Sequence, residues 1–444
     1  MTTGSTTRDL TAGPITSTML RFAGPMILGN LLQQCYNLAD TFIVGRFLGA
    51  DALAAAGSAY TLMTFLNSVL IGLCMGSGSL FSMCFGRGDT KALRSNAVLS
   101  FAGIGALAVA VQAIVSTLLE PILNLLQVPQ QVWPLMRDYV RVIFFGIVFV
   151  FLYNYFSFLL RAVGNSVAPL CFLAVAALGN IALDLLFVVG LHGGIAGAAW
   201  ATVLAQAVSG VGLGVYTWLR CPELHPVRQE LQFTGQQAKT VLWFSAAACV
   251  QQSVMNFGIL MVQGLVNSFG TAVMAAFAAG VKIDSFAYMP AQEFGNAYSL
   301  FISQNYGARR HERVKQGTRS AILLSMVFCV VVSVLVFAAA PWLIQIFVDG
   351  SEAEIIAIGA GYLRIEGAFY CGIGLLFLWY GYYRGIGRPE MSLVLTVISL
   401  GTRVVLAYAL APTVGVTAIW WAVPIGWALA DAAGAVCYPR LKGK

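Results

Sequence analysis

The chain has 444 residues, of which 59% are hydrophobic and only 10% are charged, and its formal net charge is +7. A soluble domain carries about 25% charged residues, so this composition excludes a chain that lies in water along most of its length. A helix needs about 20 apolar residues to cross the hydrocarbon core of a bilayer. Continuous apolar stretches of that length predict an all-α polytopic membrane protein and argue against a β-barrel, whose strands are short and alternating.

Apolar stretches between polar or Gly/Pro breaks predict twelve transmembrane helices. In the first half they lie near residues 15–44, 52–84, 94–119, 134–162, 167–189 and 194–219. In the second half they lie near 237–267, 272–306, 313–340, 356–385, 389–412 and 414–440. The polar stretch between the halves predicts three regions, which are an N-terminal six-helix bundle (1–219), a cytoplasmic linker (220–236) and a C-terminal six-helix bundle (237–444).

The two halves are related by an internal repeat. Gly49 and Trp200 have counterparts in Gly270 and Trp421, both at an offset of 221 residues. An even number of helices in each half places both halves in the membrane with the same orientation. Such a duplication is typical of secondary transporters, in which two similar bodies rock about a binding site.

Most of the 25 Lys and Arg residues fall in segments that are cytoplasmic if the N-terminus is inside. This asymmetry predicts a multi-pass protein of the plasma membrane with both termini in the cytoplasm. Because the basic residues are spread over many short loops, we expect anionic lipid headgroups, and not nucleic acid, to be their partner.

Polar side chains inside the predicted helices mark candidate sites, because an acid at the centre of a membrane helix costs about 2.5–3.5 kcal/mol on insertion scales. Asp40 ends a polar stripe whose spacing of three and four residues places it on one face of the first helix. The stripe and the residues that flank it are Asn30, Gln33, Gln34, Tyr36, Asn37 and Asp40. The amides suit helix packing and a functional role equally, whereas the insertion cost favours a functional role for Asp40.

Asn180 and Asp184 form a second polar pair, one helical turn apart in the apolar fifth helix, and Thr202 adds a hydroxyl oxygen from the sixth. Two carboxylates, an amide and a hydroxyl suit either of two chemistries. Desolvated acids can carry protons, and hard oxygen atoms can hold a sodium ion. At the repeat offset Asp40 is matched by Met261, so the acids are specific to one half. This asymmetry points to ion coupling in the N-terminal bundle.

Charged residues also fall inside the predicted helices of the C-terminal bundle. Lys282 and Asp284 lie in the eighth helix, where their opposite charges could neutralise each other, and Glu366 lies in the tenth. Structural pairing and a functional role both stay open for these three residues, which are secondary candidates for the site.

Three pieces of the sequence resemble the multidrug and toxic compound extrusion (MATE) family, in its DinF-like branch, of the multidrug/oligosaccharidyl-lipid/polysaccharide exporter superfamily. They are Asp40–Ala55, Phe85–Asp89 and the repeat partner of the latter, Tyr306–Arg309. The resemblance spans essentially the whole chain. It implies two pseudo-symmetric six-helix bundles arranged in a V. It also implies export of amphiphilic, often cationic compounds by alternating access, in exchange for H⁺ or Na⁺ and without a further cofactor.

The resemblance also implies roles for individual residues. Asp40, Asn180, Asp184 and Thr202 match the cation-coupling site of the DinF-like branch, and no other metal is implied. The predicted substrate cavity around this site contains Gln33, Gln34, Tyr36, Asn37, Tyr139 and Asn154. Another branch of the family places a carboxylate in the seventh helix, where this chain has Gln251 and Gln252.

Two other functions remain as alternatives at this stage. A lipid-linked oligosaccharide flippase of the same superfamily would need basic residues for a pyrophosphate, and Lys282 and Arg403 keep that reading open. An enzyme is not expected, because His192, His225 and His311 are the only histidines and all fall in predicted loops. We expect a monomeric transporter whose partners are small amphiphilic molecules and membrane lipid.

Overall fold

The computed structural model describes residues 9–125 and 132–441, and these residues are almost entirely helical. Residues 1–8 and 442–444, the ends of the predicted bundles, lie outside the described residues. Lipid tails offer no hydrogen bonds to backbone N–H and C=O groups, whereas a helix pairs these groups within its own segment. Long apolar stretches therefore fold as helices.

The helices of the first half follow one another with short connections. They are α1 (Ile15–Leu48), α2 (Ala50–Gly86), α3 (Thr90–Thr117), α4 (Leu119–Leu125), α5 (Trp133–Ile143), α6 (Ile147–Ala162), α7 (Val167–Asp184) and α8 (Gly194–Arg220). A 3₁₀ turn, Phe144–Gly146, joins α5 to α6, and a π-helical segment, Leu185–Gly190, continues α7. A further 3₁₀ turn, Pro222–Leu224, follows α8.

The second half repeats this order. Its helices are α9 (Gly235–Asn267), α10 (Thr271–Gly307), α11 (His311–Gln345), α12 (Ala353–Ala368), α13 (Tyr370–Gly385), α14 (Pro389–Val414) and α15 (Val416–Leu441). The axes of α12 and α13 meet at a bend of 51°. This bend occupies the place that the 3₁₀ turn between α5 and α6 takes in the first half.

In the described part of the chain, ten helical segments are long and apolar enough to cross a membrane, and the bent pair α12–α13 adds an eleventh. One of the ten runs from Trp133 to Ala162 and so contains both α5 and α6. Helix α1 has 34 residues but is more polar, because it carries the stripe that ends at Asp40. The prediction of an all-α polytopic membrane protein is confirmed.

Contacts between the helices divide the chain into two compact units. The first unit consists mainly of residues 24–249, and the second of residues 11–23 together with the chain from Val250 onwards. The predicted linker, residues 220–236, groups with the first unit. Helices α1 and α9, which correspond to each other in the repeat, each contribute residues to both units.

Within the first unit, α8 packs against α5, α6 and α7, and α6 also packs against α2. The approach of α8 to α6 depends on Gly210, because a Cβ atom there would lie 2.6 Å from the carbonyl oxygen of Phe149. Small residues of this kind let helix backbones approach closely in membranes. Helices α6, α7 and α8 therefore pack closely around the polar residues that they carry.

Within the second unit, α10 packs along α12 and α13, and α14 pairs with α15. A Cβ atom on Gly381 would lie 2.6 Å from the carbonyl oxygen of Gly295, so α13 and α10 are also in close contact. At the other end of α13, the hydroxyl of Tyr370 donates to Asp284 Oδ1 and places the bend between α12 and α13 against α10.

Candidate functional site

A cavity of about 130 Å³ lies within the first unit, between α1, α2, α6, α7 and α8. Aliphatic side chains from α2, α6, α7 and α8 form part of its wall. The polar residues of the wall are Gln33, Tyr36, Asn67, Tyr153, Asn154, Asn180, Thr202, Gln206 and Ser209. A cavity with an apolar wall and several convergent polar groups is the usual form of a small-molecule site.

The carboxyl groups of Asp40 on α1 and Asp184 on α7 are in direct contact beside this cavity. Asp184 is fully buried. One oxygen of each carboxylate, Oδ1, is buried without a hydrogen-bond partner among the described residues. Two carboxylates at contact distance repel each other strongly when they are screened from water. A proton or a cation placed between the two carboxyl groups would remove that repulsion.

The backbone changes its winding directly after Asp184. Helix α7 ends at this residue, and the six residues that follow, Leu185–Gly190, are π-helical. A π-helical segment widens the turn, and such segments frequently occur at functional sites. The wider turn places Asp184 at the end of the regular helix, where its side chain meets α1.

Asn180 and Thr202 extend the acid pair into a small network. With its amide assigned so that both of its polar atoms are satisfied, Asn180 donates to Asp184 Oδ2 at 3.2 Å and accepts from the backbone N–H of Thr202 at 3.3 Å. The hydroxyl of Thr202 donates to the carbonyl of Ala198 at 3.2 Å, one turn earlier on α8. The amide therefore bridges α7 to α8 and orients the carboxylate of Asp184.

Two tyrosines lie next to the acid pair. Tyr36 on α1 and Tyr139 on α5 are both close enough to interact with the charges of Asp40 and Asp184. Only 8% of Tyr139 is exposed. Their hydroxyl groups are polar neighbours that can donate hydrogen bonds to a carboxylate.

The other predicted cavity residues fall into two groups. Gln33 and Asn154 line the cavity, and the amide of Asn154 also donates to the carbonyl of Val150 at 2.9 Å. Gln34 and Asn37 are half-buried on α1 and are not part of the cavity wall. The stripe on α1 therefore contributes Gln33 and Tyr36 to the wall and Asp40 to the acid pair.

Four polar residues of the cavity wall were missed by the sequence analysis. They are Asn67 on α2, Tyr153 on α6, and Gln206 and Ser209 on α8. Asn67 Oδ1 and Gln206 Oε1 are buried without a partner within the described ranges. Gln206 lies one helical turn after Thr202, so the same spacing that linked Asn180 to Asp184 could have found it.

The secondary candidates, Lys282, Asp284 and Glu366, lie in the second unit, and Lys282 lies apart from the two acids. Among the described residues no ion pair joins Lys282 to Asp284. Residues two apart on a helix point in different directions. Lys282 Nζ instead lies 5.7 Å from the centroid of the Phe347 ring. The carboxyl of Asp284 faces inward and contacts that of Glu366.

A duplicated helical membrane fold, with a polar cavity and a buried acid pair inside one unit, defines the class of secondary transporters. Comparison with protein families agrees with this class. The MatE family model matches the chain twice, over residues 25–186 and 247–409. The chain therefore belongs to the MatE family, and the two matches correspond to the two halves of the repeat.

Curated relatives cover most of the chain. The probable multidrug resistance protein YpnP of Bacillus subtilis (strain 168) is 31% identical over 88% of this chain and 87% of its own length. The probable multidrug resistance protein NorM of Thermotoga maritima is 26% identical over 86% of this chain and 83% of its own length.

Solved structures show the same fold. A MATE family multidrug resistance transporter of the MOP superfamily, described in an outward-facing conformation, superposes with a TM-score of 0.91. The two sequences are 23% identical, and the superposition covers 100% of this chain and 98% of the transporter's chain. The resemblance to the MATE family is thus confirmed, while the DinF-like branch stays a prediction.

Proposed function

We propose that the protein is an antiporter that exports amphiphilic, often cationic drugs or toxic compounds in exchange for H⁺ or Na⁺. The contact between the carboxyl groups of Asp40 and Asp184, beside an oxygen-lined cavity, carries this proposal. The names of the relatives support it, since YpnP and NorM are both described as probable multidrug resistance proteins. Because the chain belongs to a family of membrane transporters, we propose transport, and not enzymatic catalysis, as its activity.

The coupling ion and the cationic drug compete for the same negative charge, and this competition couples their transport. When Asp40 and Asp184 bind H⁺ or Na⁺, the pair becomes less negative and holds a cationic drug less tightly. Release of the coupling ion restores the charge and the affinity for the drug. Coupled transport then requires that the ion and the drug prefer different conformations. A membrane potential contributes about 2.3 kcal/mol for each inward charge per 100 mV.

The wall of the cavity supports an amphiphilic substrate. Ile71 and Leu173 offer apolar contacts, while Asn67 and Gln206 offer polar atoms that the described residues leave unpaired. Tyr36 adds an aromatic ring near the acids, and aromatic faces attract cations. A molecule with an apolar body and a positive charge fits this combination.

The flippase alternative is less well supported. A lipid-linked pyrophosphate would need basic side chains, yet within the described residues no Lys or Arg lines the cavity of the first unit. The charge beside the cavity is negative, which repels an anionic headgroup. We therefore retain drug export as the function.

For topology we propose a monomer in the plasma membrane with both termini in the cytoplasm and with membrane lipid around it. The excess of basic residues in the predicted inner segments supports this orientation. Labelling of single introduced cysteines from either side of sealed cells tests it. Labelling of residues near both ends from outside would contradict it.

Transport in liposomes tests the function. Purified protein is reconstituted, a pH or a sodium gradient is imposed, and efflux of a fluorescent organic cation is followed. We expect gradient-driven efflux by the wild type and none by Asp40→Asn or Asp184→Asn. Asp51→Asn, which changes an exposed acid early in α2, is the matched control and retains efflux. Full activity of the double Asn variant would rule the coupling site out, and the gradient that drives efflux identifies the ion.

A further inference from the structure

An open groove follows the beginning of α9, in the part of this helix that belongs to the first unit. Its volume is about 650 Å³. The side chains of its wall change from polar to apolar along the helix, and they are Gln236, Lys239, Thr240, Leu242, Trp243 and Ala246. A groove with one polar end and one apolar end matches an amphiphilic molecule.

The opposite face of this part of α9 is fixed against α2. The hydroxyl groups of Ser77 and Ser245 form a hydrogen bond of 2.8 Å between the two helices. A Cβ atom on Gly76 would lie 2.1 Å from the carbonyl oxygen of Phe244, so the two backbones are also in close contact. Small residues allow such contacts between membrane helices. The groove is therefore carried by a segment that is held firmly in place.

The groove face of α9 is exposed from its polar end to its apolar end. Gln236 and Lys239 are both exposed. Trp243 is 53% exposed and Leu242 is 67% exposed. Trp243 lies about 6 Å further along the helix than Lys239, because each residue adds about 1.5 Å. Since α9 begins on the side that the basic residues predict to be cytoplasmic, Lys239 is at the level of the inner headgroups and Trp243 at the start of the acyl chains.

The charge of the groove selects an anionic ligand. Lys239 is the only charged residue in its described wall, and it forms no ion pair among the described residues. The hydroxyl of Thr240 already donates to the carbonyl of Gln236 at 2.9 Å. A zwitterionic headgroup would bring an ammonium group for which this wall offers no carboxylate. An anionic headgroup brings a phosphate, which the ammonium group of Lys239 can bind.

We propose that this groove binds an anionic phospholipid of the inner leaflet, with its phosphate at Lys239 and an acyl chain along Leu242 and Trp243. The long side chain of a lysine can extend from the helix to the headgroup level. At the repeat offset of 221 residues, Lys239 and Trp243 correspond to Thr18 and Phe22, so the repeat contains no second copy of this pair. The inference goes beyond the proposed antiport, because the groove shares no residue with the cavity of the first unit.

Quenching of tryptophan fluorescence by brominated lipids tests the site. The full-length protein is reconstituted in phosphatidylcholine vesicles that contain increasing amounts of acyl-brominated phosphatidylglycerol or, in parallel, of acyl-brominated phosphatidylcholine. The difference between the wild type and Trp243→Phe gives the signal of Trp243. We expect this signal to be quenched at about a fivefold lower mole fraction of the anionic lipid, as the attraction of one lysine predicts.

Variants of the lysine show whether the headgroup is bound where we propose. Lys239→Gln should remove the preference for phosphatidylglycerol, and Lys239→Arg should retain it. Lys315→Gln is the matched control, because Lys315 is likewise exposed but lies at the beginning of α11. This variant should keep the preference. The signal lost in Trp342→Phe should show no preference, since Trp342 is 69% exposed near the other end of α11.

Several results would overturn the proposal. They include equal quenching of Trp243 by the two lipids in the wild type, and a preference that survives Lys239→Gln. Stronger quenching by phosphatidylcholine would indicate a choline group at the Trp243 ring. Relief of quenching by inorganic phosphate at constant ionic strength would identify free phosphate, and not a lipid, as the ligand. The measurement uses no ion gradient, so a failure of drug efflux would count against the proposed function alone.

Discussion

Gly210 of α8 lies against the backbone of Phe149 on α6, so closely that a Cβ atom would come within 2.6 Å of the carbonyl oxygen. This contact holds together two helices of the candidate cavity. A carbonyl oxygen of a helix backbone cannot move aside as a flexible side chain can, so a larger residue at position 210 must push the two helices apart.

Gly210→Ala should therefore destabilise the protein. We expect the free energy of unfolding to fall by about 1–3 kcal/mol, because overpacking forces the two helices apart. Thermal unfolding in detergent measures the change. Gly103→Ala is the control, since a Cβ atom there meets nothing within 4 Å and helix propensity favours alanine. Equal stability of the two variants would contradict the close contact.

Thr202→Val should weaken binding of the coupling ion without abolishing it. The substitution keeps the shape of the side chain but removes the hydroxyl oxygen that we propose as part of the cation-coupling site, together with its hydrogen bond to the carbonyl of Ala198. A lost hydrogen bond of this kind is worth about 1 kcal/mol, or about a fivefold higher half-saturating ion concentration. Initial efflux rates at varied pH or sodium concentration give this value.

Ser209→Ala is the control for Thr202→Val. The hydroxyl of Ser209 also belongs to the cavity wall but donates to the carbonyl of Gln206 at 3.0 Å. Its removal should leave the ion dependence as in the wild type. A shift of the same size in both variants would show that Thr202 has no specific role.

Gln206→Leu should change which substrates are exported. The buried Oε1 atom of Gln206 has no partner within the described ranges, so it is available to a polar substrate group. We expect efflux of substrates that carry hydrogen-bond donors to fall about tenfold, which corresponds to about 1.4 kcal/mol. Purely apolar cations should be exported at nearly the wild-type rate.

Gln112→Leu provides the comparison for Gln206→Leu. Gln112 Oε1 is likewise buried without a partner in the described chain, but this residue lies on α3 and outside the cavity wall. The substrate profile of this variant should match that of the wild type. The same change in profile for both variants would remove Gln206 from the substrate site.

Glu230→Gln should loosen the segment that connects the two halves of the chain. Glu230 forms an ion pair with Arg94 on α3, and Arg94 also donates to the carbonyl of Glu223 at 2.9 Å. The side chain of Arg94 is only 15% exposed, so the pair is partly screened from water. We expect a loss of about 0.5–1 kcal/mol in the free energy of unfolding.

The matched control for this ion pair is Glu120→Gln. Glu120 pairs with Arg137 at 3.3 Å, but their side chains are 59% and 44% exposed. An exposed pair contributes little, so this variant should unfold like the wild type. Thermal unfolding at low and high salt compares the two variants, and a larger effect for Glu120→Gln would contradict the assignment.

Local sequence patterns were sufficient to predict the helices and most of the polar residues at the site. An apolar stretch long enough to span the bilayer folds as a helix whatever its neighbours are, because its backbone groups must be paired within the segment. The stripe on α1 and the pair Asn180–Asp184 were visible because residues three or four apart share a helix face. Asn67 was missed because a single polar residue on an otherwise apolar helix has no periodic partner.

Which helices meet was decided only in the tertiary structure. The sequence left open that Lys282, two residues away, neutralises Asp284, whereas the folded chain places Asp284 against Glu366 on another helix. Likewise, the sequence named both Asp40 and Asp184, but only the packing of α1 against the end of α7 brings their carboxyl groups into contact. Helical periodicity is a local property that determines the face on which a side chain lies. Which helix packs against that face depends on close contacts between residues far apart in the chain, such as the contact of Gly210 with Phe149.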